Sequence, residues 1–189
     1  IMREESDTYL NEQTYAGIEF LDNNFVFQSE RSGYNHLYLY TLNGELVRPI
    51  TKGEYEVKHF YGWDSKKNEY YYSSNEGSPL REHIYKVNAK GKKTKLTANE
   101  GTNKAVFSAG MKYFINTHSS INTPHVVTTN SNNGKTIKTL IDNSNLKERL
   151  AKFDMPTKEF FTFTTSDGVE LNGWMIKPYD FDASKRYPV

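Results

Sequence analysis

Residues 36–40 read HLYLY, with apolar or aromatic side chains at consecutive positions 37–40. A strand with one face in water alternates apolar and polar positions; a run without alternation needs cover on both faces. The pattern returns along the chain. Phe25 to Glu45 (FVFQSERSGYNHLYLYTLNGE) matches Tyr70 to Lys92 (YYYSSNEGSPLREHIYKVNAKGK) and, more weakly, Lys112 to Lys135 (KYFINTHSSINTPHVVTTNSNNGK). Each unit has an aromatic strand, a polar loop, a histidine opening a second strand, and a glycine turn. His36, His83 and His125 are 47 and 42 residues apart, and Gly44, Gly91 and Gly134 are 47 and 43 apart, so strand and turn share one period.

A basic or polar strand follows each glycine (ELVRPIT, KKTKLT, KTIKTLI), and a further short strand such as VKHFYGW precedes each aromatic one. Four short strands in about 40–45 residues is the period of a β-propeller blade. Blades stack face to face, which explains a strand that is apolar on both sides. A β-sandwich is the competing architecture, but it does not require a repeat of this length. Propellers close with about 4–8 blades, so the expectation is that further blades precede Ile1.

From Asp142 the period ends. In NLKERLAKF, Leu146, Leu150 and Phe153 fall at i, i+4 and i+7, with Asn145 and Glu148 spaced as a capping pair and Pro156 as a stop. A short helix is predicted. KEFFTFTTSDGVELNGWMIKP then predicts a hairpin turning at Asp167-Gly168 through a primed turn. The expected organisation is propeller blades over 1–141, a linker helix within 142–157, and the start of a second domain over 158–189. The fold class is mainly β: about three four-stranded antiparallel blades, then a helix and a hairpin.

Composition narrows the function. Mean hydropathy is −0.77, but 14 Tyr and 11 Phe among 189 residues mark a folded chain of strands with buried rings. Lys and Arg number 24 against 23 Asp and Glu, a net charge of +1. Such a balance gives no field for nucleic acid or an anionic membrane. There is no cysteine, which excludes a disulfide framework, a thiolate nucleophile and zinc-thiolate chemistry.

Among single residues, the recurring histidines sit at equivalent places on successive blades. They predict a repeated structural hydrogen bond rather than one metal site. Lys86, Lys90, Lys92, Lys93 and Lys95 predict a solvated strand edge. Asp22, Asn23 and Asn24 lack the spacing of a calcium loop and read as a tight turn. Trp63, Trp174 and Tyr70 to Tyr72 read as packing residues. No metal or cofactor is expected.

SERSGYNHLYLYTLNGE, ITKGEYEV, NEGSP and FFTFTTSDGVELNGWMIKPYDFDASKRYPV together resemble the dipeptidyl peptidase IV subfamily of the prolyl oligopeptidase superfamily, bacterial members most closely. The resemblance implies an eight-bladed propeller followed by an α/β-hydrolase domain, whose opening is matched by Phe163, Asp167, Gly168, Leu171, Gly173, Trp174 and Pro178. It implies a serine exopeptidase that removes N-terminal dipeptides with Pro or Ala in the second position, from peptide substrates, often as an exported or membrane-anchored periplasmic homodimer. The family's Ser, Asp and His follow a Gly-x-Ser-x-Gly elbow, which does not occur here; all three are expected beyond Val189. The expectation is therefore a non-catalytic section that walls a substrate chamber. The family's paired glutamates are not assigned to Glu4-Glu5, whose context MREESDTY differs. Ile18 and Phe20 are the candidate substrate-binding residues, on a strand that the resemblance places at the wall of the substrate's extended pocket. An acylaminoacyl or oligopeptidase relative and a non-catalytic binding propeller are the alternatives.

Overall fold

The computed structural model describes residues 4–7, 9 and 17–188. Three four-stranded antiparallel sheets follow one another, each a meander with its strands in chain order. Blade one is β1 (Ile18–Phe20), β2 (Asn24–Ser29), β3 (His36–Thr41) and β4 (Leu46–Pro49); blade two is β5 (Val57–Asp64), β6 (Glu69–Ser74), β7 (His83–Asn88) and β8 (Lys93–Lys95). Blade three is β9 (Thr102–Phe107), β10 (Tyr113–Ser120), β11 (Thr123–Ser131) and β12 (Thr136–Ile141). Helix α1 (Ser144–Leu150) leads to a separate two-stranded sheet of β13 (Lys158–Thr164) and β14 (Glu170–Ile176). This is a partial β-propeller, and the three repeat units are three separate sheets.

The double cover of HLYLY is now explicit. Leu37 and Leu39 point from β3 into a cluster with Val57, Tyr70, Tyr72, Tyr85 and Val87 of blade two, while Tyr38 and Tyr40 pack on the opposite face with Phe25 and Phe27. Blade two repeats the arrangement. Tyr70 and Tyr72 face blade one, whereas Tyr71 turns the other way to meet Ile84, Leu96 and, from blade three, Phe114. Each large side chain fully buried this way contributes about 1.5–3 kcal/mol, so stacking of blade on blade, not any single sheet, stabilises the fold.

The glycine turns are one device used four times. In each, the residue three before the glycine accepts its N–H, and the closing pair is Thr41 N to Glu45 O, Asn88 N to Lys92 O, Ser131 N to Lys135 O and Thr165 N to Val169 O, at 2.9–3.1 Å. Gly44, Gly91, Gly134 and Gly168 hold φ of 80–89°, the left-handed position of a three-residue hairpin loop, where any Cβ is strained. The turn at Asp167-Gly168 is therefore not the predicted two-residue primed turn. Of the pair only Gly168 has positive φ, and the loop takes in Ser166 as well.

The helix differs from expectation at its start. Asn143, in left-handed conformation, precedes it without a side-chain cap, and the Asn145–Glu148 pair plays no capping part. Asp142 instead accepts the Ser144 N–H at 3.0 Å. None of the helix residues is buried, and Leu146 and Leu150 remain exposed.

Candidate functional site

In each blade the first strand is an edge of the sheet, and β1 pairs with β2 alone, with Ile18 opposite Phe27 and Phe20 opposite Phe25. In a propeller this first strand is the innermost and borders the central channel. Ile18 and Phe20 are 43% and 68% exposed, and the Phe20 ring leans on Phe25 with centroids 6.0 Å apart. The two candidate residues thus share one face of an inner strand, and Phe20 is positioned by a buried aromatic behind it.

The histidines hold the blades to their connecting segments. His36 is buried at the start of β3, its Nδ1 3.0 Å from Thr51 Oγ1 and its Nε2 2.9 Å from the Gly53 carbonyl. The Gly53 carbonyl can only accept, so Nε2 carries a proton; burial favours the neutral ring, whose Nδ1 then accepts from the Thr51 hydroxyl, while the Thr51 oxygen accepts the Leu37 N–H at 3.0 Å. His83 repeats the relay: Nδ1 is 3.1 Å from Thr97 Oγ1, which accepts the Ile84 N–H at 3.1 Å. Burial lowers both imidazole pKa values. The two differ at Nε2, since His83 faces the Glu100 carboxylate at 3.7 Å where His36 faces a carbonyl.

The third histidine does not follow. His125 lies exposed inside β11, which begins two residues before it, and its backbone carbonyl accepts Asn143 Nδ2 at 2.5 Å. His118, in β10, takes the buried position at the seam with blade two and bonds the Glu100 carbonyl at 3.0 Å. Blade three seals this seam with amides. Asn116 Nδ2 donates to Asn103 Oδ1 at 3.0 Å, and Asn103 Nδ2 donates to the Glu82 and Asn99 carbonyls at 3.0 and 3.1 Å.

The β13–β14 hairpin is clasped at the same end of blade three. Asn122, in the β10–β11 turn, donates from Nδ2 to the Lys158 carbonyl at 3.0 Å and accepts the Lys158 N–H at 3.2 Å. A groove of about 490 Å³ runs beside this clasp, lined among others by Arg81, Glu100, Ile121, Phe160 and Trp174. Lys158 Nζ stands 4.4 Å from the Trp174 ring. Arg81 reaches Glu100 at 2.7 Å. Desolvation opposes ionisation of Glu100, but Arg81, Lys95 and His83 outweigh it and hold the carboxyl below its usual range.

Other residues singled out by the sequence are structural. Glu4 bonds the Ser29 hydroxyl and pairs with Arg31 at 2.6 Å, and the Arg31 guanidinium lies 4.6 Å from the Tyr38 ring centre. Of the lysine stretch, Lys86 pairs with Glu69 at 2.9 Å, Lys93 with Glu76, and Lys95 with Glu100 at 3.7 Å. The residues that sequence reading passed over are Thr51, Thr97 and Asn122. The first two had a signal: a threonine stands 15 and 14 residues after His36 and His83, in ITKGE and LTANE.

Comparison with known proteins places this architecture. The model of the dipeptidyl peptidase IV N-terminal region matches residues 1–125. The chain belongs to the dipeptidyl peptidase IV family. It is 31% identical over 169 residues to dipeptidyl peptidase 4 of Trichophyton rubrum, covering 87% of this chain and 22% of that protein. A probable dipeptidyl peptidase 4 of Emericella nidulans is 28% identical over 168 residues, with the same coverage. The crystal structure of Porphyromonas gingivalis dipeptidyl peptidase 4 superposes with a TM-score of 0.92 at 41% identity, over 97% of this chain and 26% of that one. A putative dipeptidyl aminopeptidase IV from Bacteroides ovatus gives 0.76 at 27% identity, over 90% and 27%. The chain thus spans about a fifth of the length of the curated relatives it matches.

Proposed function

We propose that this chain is the propeller wall and peptidase-joining section of a serine exopeptidase that removes N-terminal dipeptides with Pro or Ala in the second position. In this reading the three blades complete an eight-bladed ring, and residues 158–189 open an α/β-hydrolase domain whose Ser, Asp and His lie outside the chain. The wall admits unstructured peptide ends and keeps folded proteins out. The whole protein acts outside the cytoplasm, in the periplasm or anchored to its membrane, as a homodimer.

One observation carries the site assignment: Ile18 and Phe20 are exposed on the inner strand of blade one, with Phe20 backed by Phe25. An apolar face on a channel wall suits the side chain of an incoming peptide. The test is steady-state hydrolysis of Gly-Pro p-nitroanilide and of a longer Pro-containing peptide by the full-length protein. Phe20→Ala is expected to raise KM for the peptide several-fold with kcat little changed, and an unchanged KM would reject the assignment. The 189-residue chain alone is expected to release no p-nitroaniline; release would overturn the non-catalytic reading.

A further inference from the structure

A cleft of about 390 Å³ opens between the outer edges of blades one and two. The fourth strand of a propeller blade is its outermost, and β4 and β8 each pair on one side only, with β3 and β7. Four cations line the cleft: Arg48 and Lys52 from β4 and the segment leaving it, and Lys90 and Lys93 from the β7–β8 turn and the start of β8. No carboxylate among the described residues lines it with them. Lys93 pairs with Glu76. Arg48, Lys52 and Lys90 have no acidic partner among the described residues, so three of the four positive charges stand unbalanced. The whole chain has a net charge of +1, which makes this a local excess.

Two of the cations are held in place. The Arg48 guanidinium stands 5.6 Å from the Tyr70 ring centre and donates from Nη1 to the Pro49 carbonyl at 3.3 Å, and the Lys93 ammonium stands 4.8 Å from the Tyr55 ring centre. Both rings belong to the buried seam between the blades. Lys52 and Lys90 are exposed, one on each blade. Protection of strand edges is served by charges spread along each strand; it gives no reason for four of one sign to gather in one recess. Like charges gathered this way repel, and a bound anion relieves the repulsion. The cations line a concavity and not a convex face, so a small molecule fits them better than a membrane surface does, and the volume lies within the about 300–1,000 Å³ of small-ligand sites. A phosphate, with a charge of about −1.5 to −2 at neutral pH, matches the excess better than a single carboxylate, and guanidinium and ammonium groups are its usual donors. Pro49 and Ala89, exposed beside the cations, offer an apolar surface to the rest of the molecule. We propose that this cleft binds a small phosphate monoester, its phosphate held by Arg48, Lys52, Lys90 and Lys93. The site lies on the outer rim, and nothing in it depends on the peptidase reading.

The test is isothermal titration calorimetry of the full-length protein with phenyl phosphate, in buffer free of phosphate and sulfate. Saturable binding to a single site is expected, and phenylacetate, which carries a single negative charge, should bind several-fold more weakly. Lys52→Gln and Lys90→Gln each remove a charge without breaking an ion pair among the described residues, so the fold should persist while the dissociation constant for phenyl phosphate rises about fivefold. Lys92→Gln is the control: it changes the net charge equally, but Lys92 does not line the cleft, and binding should be unchanged. Absence of saturable binding, phenylacetate binding as tightly as phenyl phosphate, or an unchanged constant in Lys52→Gln and Lys90→Gln would overturn the proposal. So would an equal loss in Lys92→Gln, which would show a diffuse effect of charge.

Discussion

Thr51→Val isolates the relay that holds blade one to its outgoing segment. The substitution keeps the side chain's shape and removes one hydroxyl, which is 97% enclosed with the rest of the residue, Thr51 being 3% exposed. Two groups lose their partner at once: the Leu37 N–H and His36 Nδ1, each 3.0 Å from the lost oxygen. A buried group left unpaired costs about 1–3 kcal/mol, so the expected loss for the two is about 2–6 kcal/mol. Thr51→Ser retains the hydroxyl and gives up one methyl group, for about 1 kcal/mol. Thr97→Val is expected to cost about as much as Thr51→Val, because it strips the Ile84 N–H and His83 Nδ1 in the same way and both hydrogens of the nearby Asn103 Nδ2 are already given to the Glu82 and Asn99 carbonyls. Urea unfolding of the full-length protein, followed by tryptophan fluorescence, measures all three. The relay is refuted if Thr51→Val loses less than Thr51→Ser, or if Thr97→Val leaves stability unchanged.

Acid should weaken the fold through the same histidines. Both have folded pKa values lowered by burial, so their contribution is complete above the unfolded value of about 6.5 and is lost as pH falls through the window between that value and the folded one. Stability measured from pH 7 to 5 should fall by up to about 1.4 kcal/mol per pH unit for each histidine, and His36→Gln should flatten that slope. Gly134→Ala should destabilise more than Gly91→Ala: both break a positive φ, but a Cβ at 134 would stand 2.7 Å from the Leu96 carbonyl oxygen, and one at 91 meets nothing. Thermal unfolding of the pair decides it, equal losses arguing against the contact. Asn122→Ala should speed hydrogen exchange at the Lys158 amide roughly tenfold, the loss of a bond worth about 1 kcal/mol; an unchanged rate would mean the clasp is not formed in solution.

The strands, their order and the three-sheet division were legible because they follow from spacing and binary pattern. HLYLY and YYYSS have too many consecutive apolar positions for a half-wet sheet, and the 47-residue return of His and Gly set the period. What was not legible depends on atoms meeting across sheets. His36 and His83 were read as structural, and a threonine does recur 15 and 14 residues after them, but only the fold brings the segment leaving each blade back onto the imidazole and makes that threonine its partner. The turn at Asp167-Gly168 was misjudged because a dipeptide does not fix loop length; Thr165, with its hydroxyl accepting the Val169 N–H at 3.0 Å, closes the turn one residue earlier than a primed turn allows. Asn145 and Glu148 have capping spacing, but the helix starts at Ser144, which puts Asn145 inside it. Ile18 and Phe20 were reached through resemblance, since three residues of short edge strand carry almost no pattern of their own.

The place where the repeat fails shows what the third blade is for. The loop joining the second and third strands spans residues 30–35 in blade one and 75–82 in blade two, but only 121–122 in blade three. The residues that form a loop elsewhere are drawn into longer strands here, β10 of eight and β11 of nine against six in the equivalent strands of the other blades. That lengthening carries His125 inside a strand and away from the relay position. It also removes the bulk of a six- or eight-residue loop from the end of the blade and leaves Asn122 at its tip, where both polar atoms of its side chain pair with the backbone of Lys158 as a neighbouring strand would. Blades one and two each spend this end on holding the blade that follows, through Asn35 Nδ2 to the Val57 carbonyl at 2.6 Å and the Glu82 N–H to the Gly101 carbonyl at 2.9 Å. Blade three gives up the histidine relay and the long loop together, and the hairpin occupies the space that results. A longer β10–β11 turn would therefore displace β13 even with every blade intact, which makes loop length, more than any single side chain, the property that couples the third blade to the hairpin.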